Sequence, residues 1–230
     1  MEELLSHFCD KEDTLWPLRN RVEDLVLDTE QIAIAYNGVG INLLRRISQD
    51  CREKNPRVIL NVTVNPEFVS SHLPFILKTL KFKMVALSLD TEKCGSESLL
   101  PPSRWIQAAL DLRKEKLLVS ANILMTDEMY PVIDRIIEAI APYCKQIHLL
   151  RPKFYEQKLG LSERRAKIFL IKNRWKKLIF IDQCFRFEFF NEPCTRGKDF
   201  VSINPDGSLS LCSFDIHREN KKKLKMCLYI

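Results

Sequence analysis

Arg57-Val58-Ile59-Leu60-Asn61-Val62 and Met84-Val85-Ala86-Leu87-Ser88-Leu89 are the two stretches that decide the fold. Each is a nearly continuous apolar run, which is how a strand reads when it lies in a parallel sheet covered on both faces. Four more segments are β-prone: Gln31 to Tyr36, Leu117 to Ile123, Gln146 to Leu150 and Leu178 to Gln183. Strand starts recur roughly every 26 to 35 residues, the length of one βα unit. The stretches between them have helical periodicity. Ile41 to Cys51 puts Ile41, Leu44 and Ile47 on one stripe and Arg45, Arg46 and Gln49 elsewhere. Phe68 to Leu80 and Trp105 to Leu112 behave likewise. Met129 to Ala141 gathers Val132, Ile136, Ile137 and Ile140 away from Asp134, Arg135 and Glu138. Pro131 suits a first helical turn, and Thr126 or Asp127 suits its N-cap. The alternation predicts an α/β protein with a parallel sheet, open or rolled into a partial barrel.

The rhythm changes after Leu150. Arg151-Pro152-Lys153 ends a strand, Ser162 to Trp175 is a basic amphipathic helix, and a cysteine-bearing segment follows. This predicts a βα domain over 1–155 and a smaller module over 156–230.

Bulk properties narrow the function classes. Of the 230 residues, 46% are apolar and 29% charged, as in a globular protein. The start, Met1-Glu2-Glu3-Leu4-Leu5, lacks the pattern of a secretory signal. No apolar run is long enough to span a bilayer. These features point to a cytoplasmic protein with no membrane partner, whose eight cysteines are core residues or metal ligands rather than disulfides. The net charge of +6 gathers partly in Arg218-Glu219-Asn220-Lys221-Lys222-Lys223-Leu224-Lys225. With no recognisable nucleic-acid module beside it, this run reads as a solvated tail.

The segment most informative about chemistry runs from Asn191 to Asp215, NEPCTRGKDFVSINPDGSLSLCSFD. Asn204-Pro205-Asp206-Gly207 is a turn signal between two β-prone pieces, so the segment reads as a hairpin. Cys194 precedes the hairpin and Cys212 ends its second strand. Two thiolates brought together this way suit an iron–sulfur cluster or zinc; two buried core thiols are the alternative.

Cysteine, about a dozen residues, Gly207, four residues and Cys212 resemble the opening half of the auxiliary-cluster module, SPASM or twitch, of radical S-adenosylmethionine (SAM) enzymes. That resemblance implies a partial (βα)6-type parallel barrel, here missing its first strand, followed by a small C-terminal Cys-bearing β-hairpin module. It implies an auxiliary cluster of the [4Fe-4S] type held by Cys194 and Cys212 with Cys184 and Cys227, zinc being the alternative metal. It further implies SAM as cofactor and a peptide or protein as substrate. The three-cysteine CxxxCxxC motif of the family does not occur in this sequence. Ser6-His7-Phe8-Cys9 echoes its last half, which makes Cys9 a candidate ligand. Tyr36-Asn37-Gly38-Val39-Gly40-Ile41 stands where the family has a GGEP-like turn, without its Glu and Pro. Thr63, Asn65, Ser88 and Asp90 stand at strand ends where the family often has Thr-Asn and Ser-x-Asp. Asn37, Gly38, Gly40, Thr63, Asn65, Ser88 and Asp90 are therefore the candidate cofactor-binding residues.

Other chemistries find little purchase. His7, His72, His148 and His217 are scattered without a metal-binding spacing, and His148 reads as a core or barrel-mouth residue. Neither a phosphate-binding G-x-x-x-x-G-K-[ST] nor a G-x-S-x-G nucleophile turn is present. Cys51, Cys94 and Cys144 fall in or beside helical segments and read as structural. Three readings remain: a radical SAM-like protein unable to hold the primary cluster alone, a non-catalytic zinc- or cluster-binding scaffold, and a plain βα fold with buried thiols. Whether the chain is an enzyme stays open at this point.

Overall fold

The computed structural model describes residues 26, 29–36, 41–89, 103–152 and 157–193, with two short strands at 202–203 and 209–210. These residues fall into two compact units.

The larger unit is a six-stranded, wholly parallel sheet whose spatial order is its sequence order. Its strands are β1 (Gln31–Tyr36), β2 (Ile59–Val64), β3 (Met84–Leu89), β4 (Leu118–Leu124), β5 (Gln146–Leu150) and β6 (Ile179–Ile181). Parallel neighbours need crossover connections, and helical segments lie between the successive strands. Helix α1 (Ile41–Lys54) belongs to the smaller unit, and α2 (Leu73–Thr79), α3 (Ser103–Lys114), α4 (Ile133–Ile140), α5 (Leu161–Arg174) and α6 (Gln183–Phe190) belong to the larger.

Alternation along the strands separates the two faces. Leu60, Val62, Val64, Val85, Leu87, Leu89, Val119, Ala121, Ile123, Ile147 and Leu149 share one face, and none is more than 2% exposed. Against it α3 buries Trp105, Ala108, Ala109 and Leu112, while α4 buries Ile133, Ile136, Ile137 and Ile140. Each buried Val, Leu or Ile among them contributes about 1.5–3 kcal/mol of transfer free energy. The opposite face is different: Thr63, Ala86, Ser88, Asn122, Gln146 and His148 are half-buried. The expectation of strands apolar on both faces is thus corrected. The β-branched runs hide polar residues at every second position, and these share one side.

Polar links order the helices. Arg113 of α3 donates to Pro142 O after α4 (2.7 Å). Lys167 of α5 pairs with Asp134 of α4, and Arg174 of α5 with Glu138 (2.7 Å).

Some local expectations shift. β2 begins two residues later than expected, and β6 is only three residues long. Thr126 and Asp127 do not cap α4, which starts at Ile133 behind Val132. Asp127 instead accepts the Lys158 (2.6 Å) and Leu159 (3.2 Å) backbone N–H groups. Pro131 precedes α4 rather than entering its first turn. Helix α6 was not foreseen, because Gln-Cys-Phe-Arg-Phe-Glu-Phe-Phe has no clean polar face. Its N-cap Asp182 was the signal: Oδ1 accepts from Phe185 N at 2.8 Å.

In the smaller unit, α1 buries Leu44, Ile47, Ser48 and Cys51. Asn55 donates to Val26 O (3.0 Å) and Thr29 O (3.1 Å). β7 (Ser202–Ile203) and β8 (Leu209–Ser210) pair antiparallel, Ser202 opposite Ser210 and Ile203 opposite Leu209.

Candidate functional site

The polar sheet face is the candidate site. The strand register lays its side chains out in lateral rows. Thr63, Ala86, Ser120 and Gln146 form one row; Ser88, Asn122, His148 and Phe180 form the next, nearer the carboxyl ends. Neighbouring positions in a row stand about 4.8 Å apart. Asn61 lies one step behind Thr63 on the same face. The carboxyl ends of parallel strands are where βα proteins place ligands.

The face is polar yet uncharged: the six strands carry no Asp, Glu, Lys or Arg. Ser120 is fully buried and Asn61 8% exposed, and neither Ser120 Oγ nor Asn61 Oδ1 has a hydrogen-bond partner among the described residues. Leaving such atoms unpaired costs about 1–3 kcal/mol each, so they favour a ligand that bonds to them. His148 stacks on Phe180, ring centroids 5.4 Å apart. Burial lowers its pKa below the ordinary histidine value, so at neutral pH it is an uncharged imidazole. A wall of hydroxyls, carboxamides and one neutral imidazole suits a ligand rich in hydroxyl and amino-acid groups. Among the described residues it has no paired carboxylates for acid–base hydrolysis.

Behind the carboxyl ends of β5 and β6 lies a second, ionic cluster. Glu188 of α6 is 9% exposed in its side chain and accepts from Arg151 Nε (2.8 Å) and Arg164 Nη2 (3.0 Å). Arg164 also donates through Nε to Leu159 O (3.1 Å). Asp182 Oδ2 accepts from Arg151 N (2.9 Å), so one carboxylate caps α6 and ties β5 to β6. Burial pushes the nearby Tyr130 phenol up to about 12, against the pull of the Arg164 charge. This cluster fixes the strand ends and with them the rows of the polar face.

Of the residues singled out from sequence, Thr63 and Ser88 come together on this face. Asn65 follows β2 and makes a local contact of its own. It caps the 3-10 turn Pro66–Phe68, with Oδ1 accepting from Glu67 N at 3.2 Å. Cys184 sits half-buried in the first turn of α6 rather than at a strand end. Asn37, Gly38, Gly40, Asp90, Cys9, Cys194, Cys212 and Cys227 lie outside the described residues. Asn61, Ser120, Asn122 and Gln146 were missed. Their signal was a polar residue at i and i+2 inside an apolar strand: Asn61 and Thr63, Ser120 and Asn122, Gln146 and His148.

A metal finds no ready ligand set here. Among the described residues no three His, Cys, Asp or Glu side chains converge. Burial pushes the Cys144 thiol up to about 12, which makes it a poor thiolate ligand. Three of the four cysteines of the expected cluster set, Cys194, Cys212 and Cys227, lie outside the described residues, so the described residues by themselves assemble no such set. Among the described residues no helix is long and apolar enough to cross a membrane.

No protein-family model matches this chain, and no curated protein sequence does. Solved structures do. The chain is similar to anSMEcpe with bound AdoMet and a Cp18Cys peptide, at 16% identity and a TM-score of 0.58, over 85% of this chain and 66% of that one. It is also similar to Streptococcus suis SuiB bound to S-adenosylmethionine, at 15% identity and a TM-score of 0.61, over 79% of this chain and 49% of that one. The chain thus spans about two thirds of the first and half of the second. At these identities the likeness is one of fold: six parallel strands with helices, the α/β architecture of two SAM-bound proteins.

Proposed function

We propose that this chain is an iron–sulfur protein of the radical SAM type, with a SPASM/twitch-like C-terminal module, related to peptide- and protein-modifying maturases. The observation that carries the reading is the likeness of fold between this chain, with its six-stranded parallel sheet in sequence order, and two SAM-bound proteins, one of which also holds a peptide. The spacing of Cys194, Gly207 and Cys212 and the antiparallel pairing of β7 with β8 between those cysteines support it. In this reading the sheet curves into a partial barrel with the polar face inside, and the partner is a peptide or protein substrate.

The chain's own residues bind and orient. Thr63, Ser88, Ser120 and Asn122 offer hydrogen bonds to the hydroxyl and amino-acid groups of SAM, and Asn61 gains the donor it lacks. His148, neutral at pH 7, accepts or donates one hydrogen bond without adding charge beside a sulfonium. Bound SAM supplies hydrogen-abstraction chemistry in such proteins. The 230-residue chain carries no CxxxCxxC, so this chain alone binds SAM without cleaving it. Cys194 and Cys212, with Cys184 and Cys227, hold the auxiliary cluster; Cys9 alone cannot hold a second one, because a single thiolate lacks chelate partners.

Equilibrium dialysis of the chain against radiolabelled SAM tests this, followed by dithionite addition and product analysis. The expected result is saturable binding, weakened in Ser120→Val and Asn122→Leu, and no 5′-deoxyadenosine. Absence of binding refutes the assignment of the polar face. Appearance of 5′-deoxyadenosine refutes the claim that this chain cannot cleave SAM by itself.

A further inference from the structure

Away from the polar face, helices α5 and α6 leave a groove of about 570 Å3 lined by Leu161, Ser162, Arg165, Ala166, Phe169, Glu188 and Phe190. Its walls are apolar and open: Leu161 is 50% exposed and Phe169 53%, with Leu170 beside them at 64%. Leu161, Arg165 and Phe169 are four residues apart and so form one stripe along α5. Burying the apolar members of that stripe, Leu161 and Phe169, is favourable, and α5 leaves them exposed while its other side buries Arg164, Ile168 and Ile171.

Charge decides what covers it. Three cations of α5 are spent on acids: Arg164 on Glu188, Lys167 on Asp134 and Arg174 on Glu138. Glu188, the acid in the groove, has both oxygens committed to Arg151 and Arg164. Arg165 and Lys172 differ. They lie over the Phe190 ring at 5.7 and 5.6 Å from its centroid and have no carboxylate partner among the described residues. The groove is therefore an apolar trough beside two cations, Arg165 and Lys172, that no carboxylate among the described residues meets.

We propose that this groove docks a short acidic amphipathic segment of a partner protein. Apolar side chains of that segment would enter between Leu161, Ala166, Phe169 and Phe190, and its carboxylates would meet Arg165 and Lys172. This is the helix-in-groove mode of recognition, with anchors at i, i+3 or i+4 and a charged edge that sets orientation.

The probe is a fluorescein-labelled synthetic helix with Leu and Phe on one face and Glu on the other. A twin carries Lys for every Glu. Fluorescence anisotropy against the full chain is expected to show the acidic helix binding and the basic twin not binding. Raised salt weakens binding. The exposed double variant Arg165→Glu, Lys172→Glu loses about tenfold in affinity, and Phe169→Ser loses at least about tenfold. Circular dichroism confirms that these surface variants remain folded. Equal binding of both twins, or no binding of either, overturns the proposal. So does a dimer of the full chain that Phe169→Ser dissociates, since the groove is then covered by a second copy. Groove-dependent binding to phosphatidylserine vesicles with no acidic-helix binding overturns it in favour of a lipid surface.

Discussion

Removing the Glu188 carboxylate should destabilise the larger unit more than any single surface change. Its two oxygens neutralise Arg151 at 2.8 Å and Arg164 at 3.0 Å. Glu188→Ala strands the Arg164 guanidinium in a site where its side chain is 9% exposed, while Arg151, at 19%, regains some water. Breaking a buried pair from one side costs about 3–5 kcal/mol. For a protein of this size each kcal/mol moves the melting temperature by about 2–4 °C, so the loss should be roughly 6–20 °C. The assay is a urea titration with hydrogen exchange read out on α5 and α6. Because the cost comes from an uncompensated charge, Glu188→Leu combined with Arg164→Met should recover most of the loss. A cost below about 1 kcal/mol for Glu188→Ala, or a double variant no more stable than the single one, would refute the reasoning.

Asp182→Ala removes the α6 cap and the tie to Arg151 N together, and should cost about 1–3 kcal/mol of unfolding free energy, measured by urea titration; Asp182→Asn, which keeps the capping acceptor, should lose less. His148 has a pKa lowered by burial, so its unfolded form binds more protons as pH falls through and below 6.5. Its contribution to stability is fully present above pH 6.5 and is lost on acidification, so stability–pH curves of wild type and His148→Gln should diverge only on the acid side. Cys144, its thiol pushed up to about 12, should resist a thiol-reactive dye at pH 8 in the folded chain and react freely in urea, as mass spectrometry of labelled peptides would show.

Much of the fold was legible because each strand carries its signal locally. β1, β3 and β5 run over the residues expected for them, and the βα cadence is enough to imply a parallel sheet. β2 was placed early because Arg57 and Val58 are β-prone in isolation, whereas the ladder begins at Ile59 N, which donates to Glu30 O. Helix α6 escaped because aromatic residues crowd both sides of it, with Phe185 and Phe189 buried and stacked at 4.9 Å. Its tertiary packing overrides a weak helical pattern. The candidate site was only half visible. Thr63 and Ser88 drew notice as strand-end residues, but Ser120 and Asn122 gain meaning only when the register sets them beside Ala86 and Ser88. Lateral adjacency between strands is a property of pairing, which no single strand encodes. The Arg151, Arg164 and Glu188 cluster joins three segments far apart in sequence and was invisible for the same reason.

The most direct test of the account is the metal content of the 230-residue chain after anaerobic purification and cluster reconstitution, with Cys194→Ala and Cys212→Ala alongside. The account requires about four iron and four sulfide per wild-type chain, as for one cubane, and loss of both in each variant. Zinc in place of iron, or iron and sulfide bound equally by wild type and both variants, would contradict it.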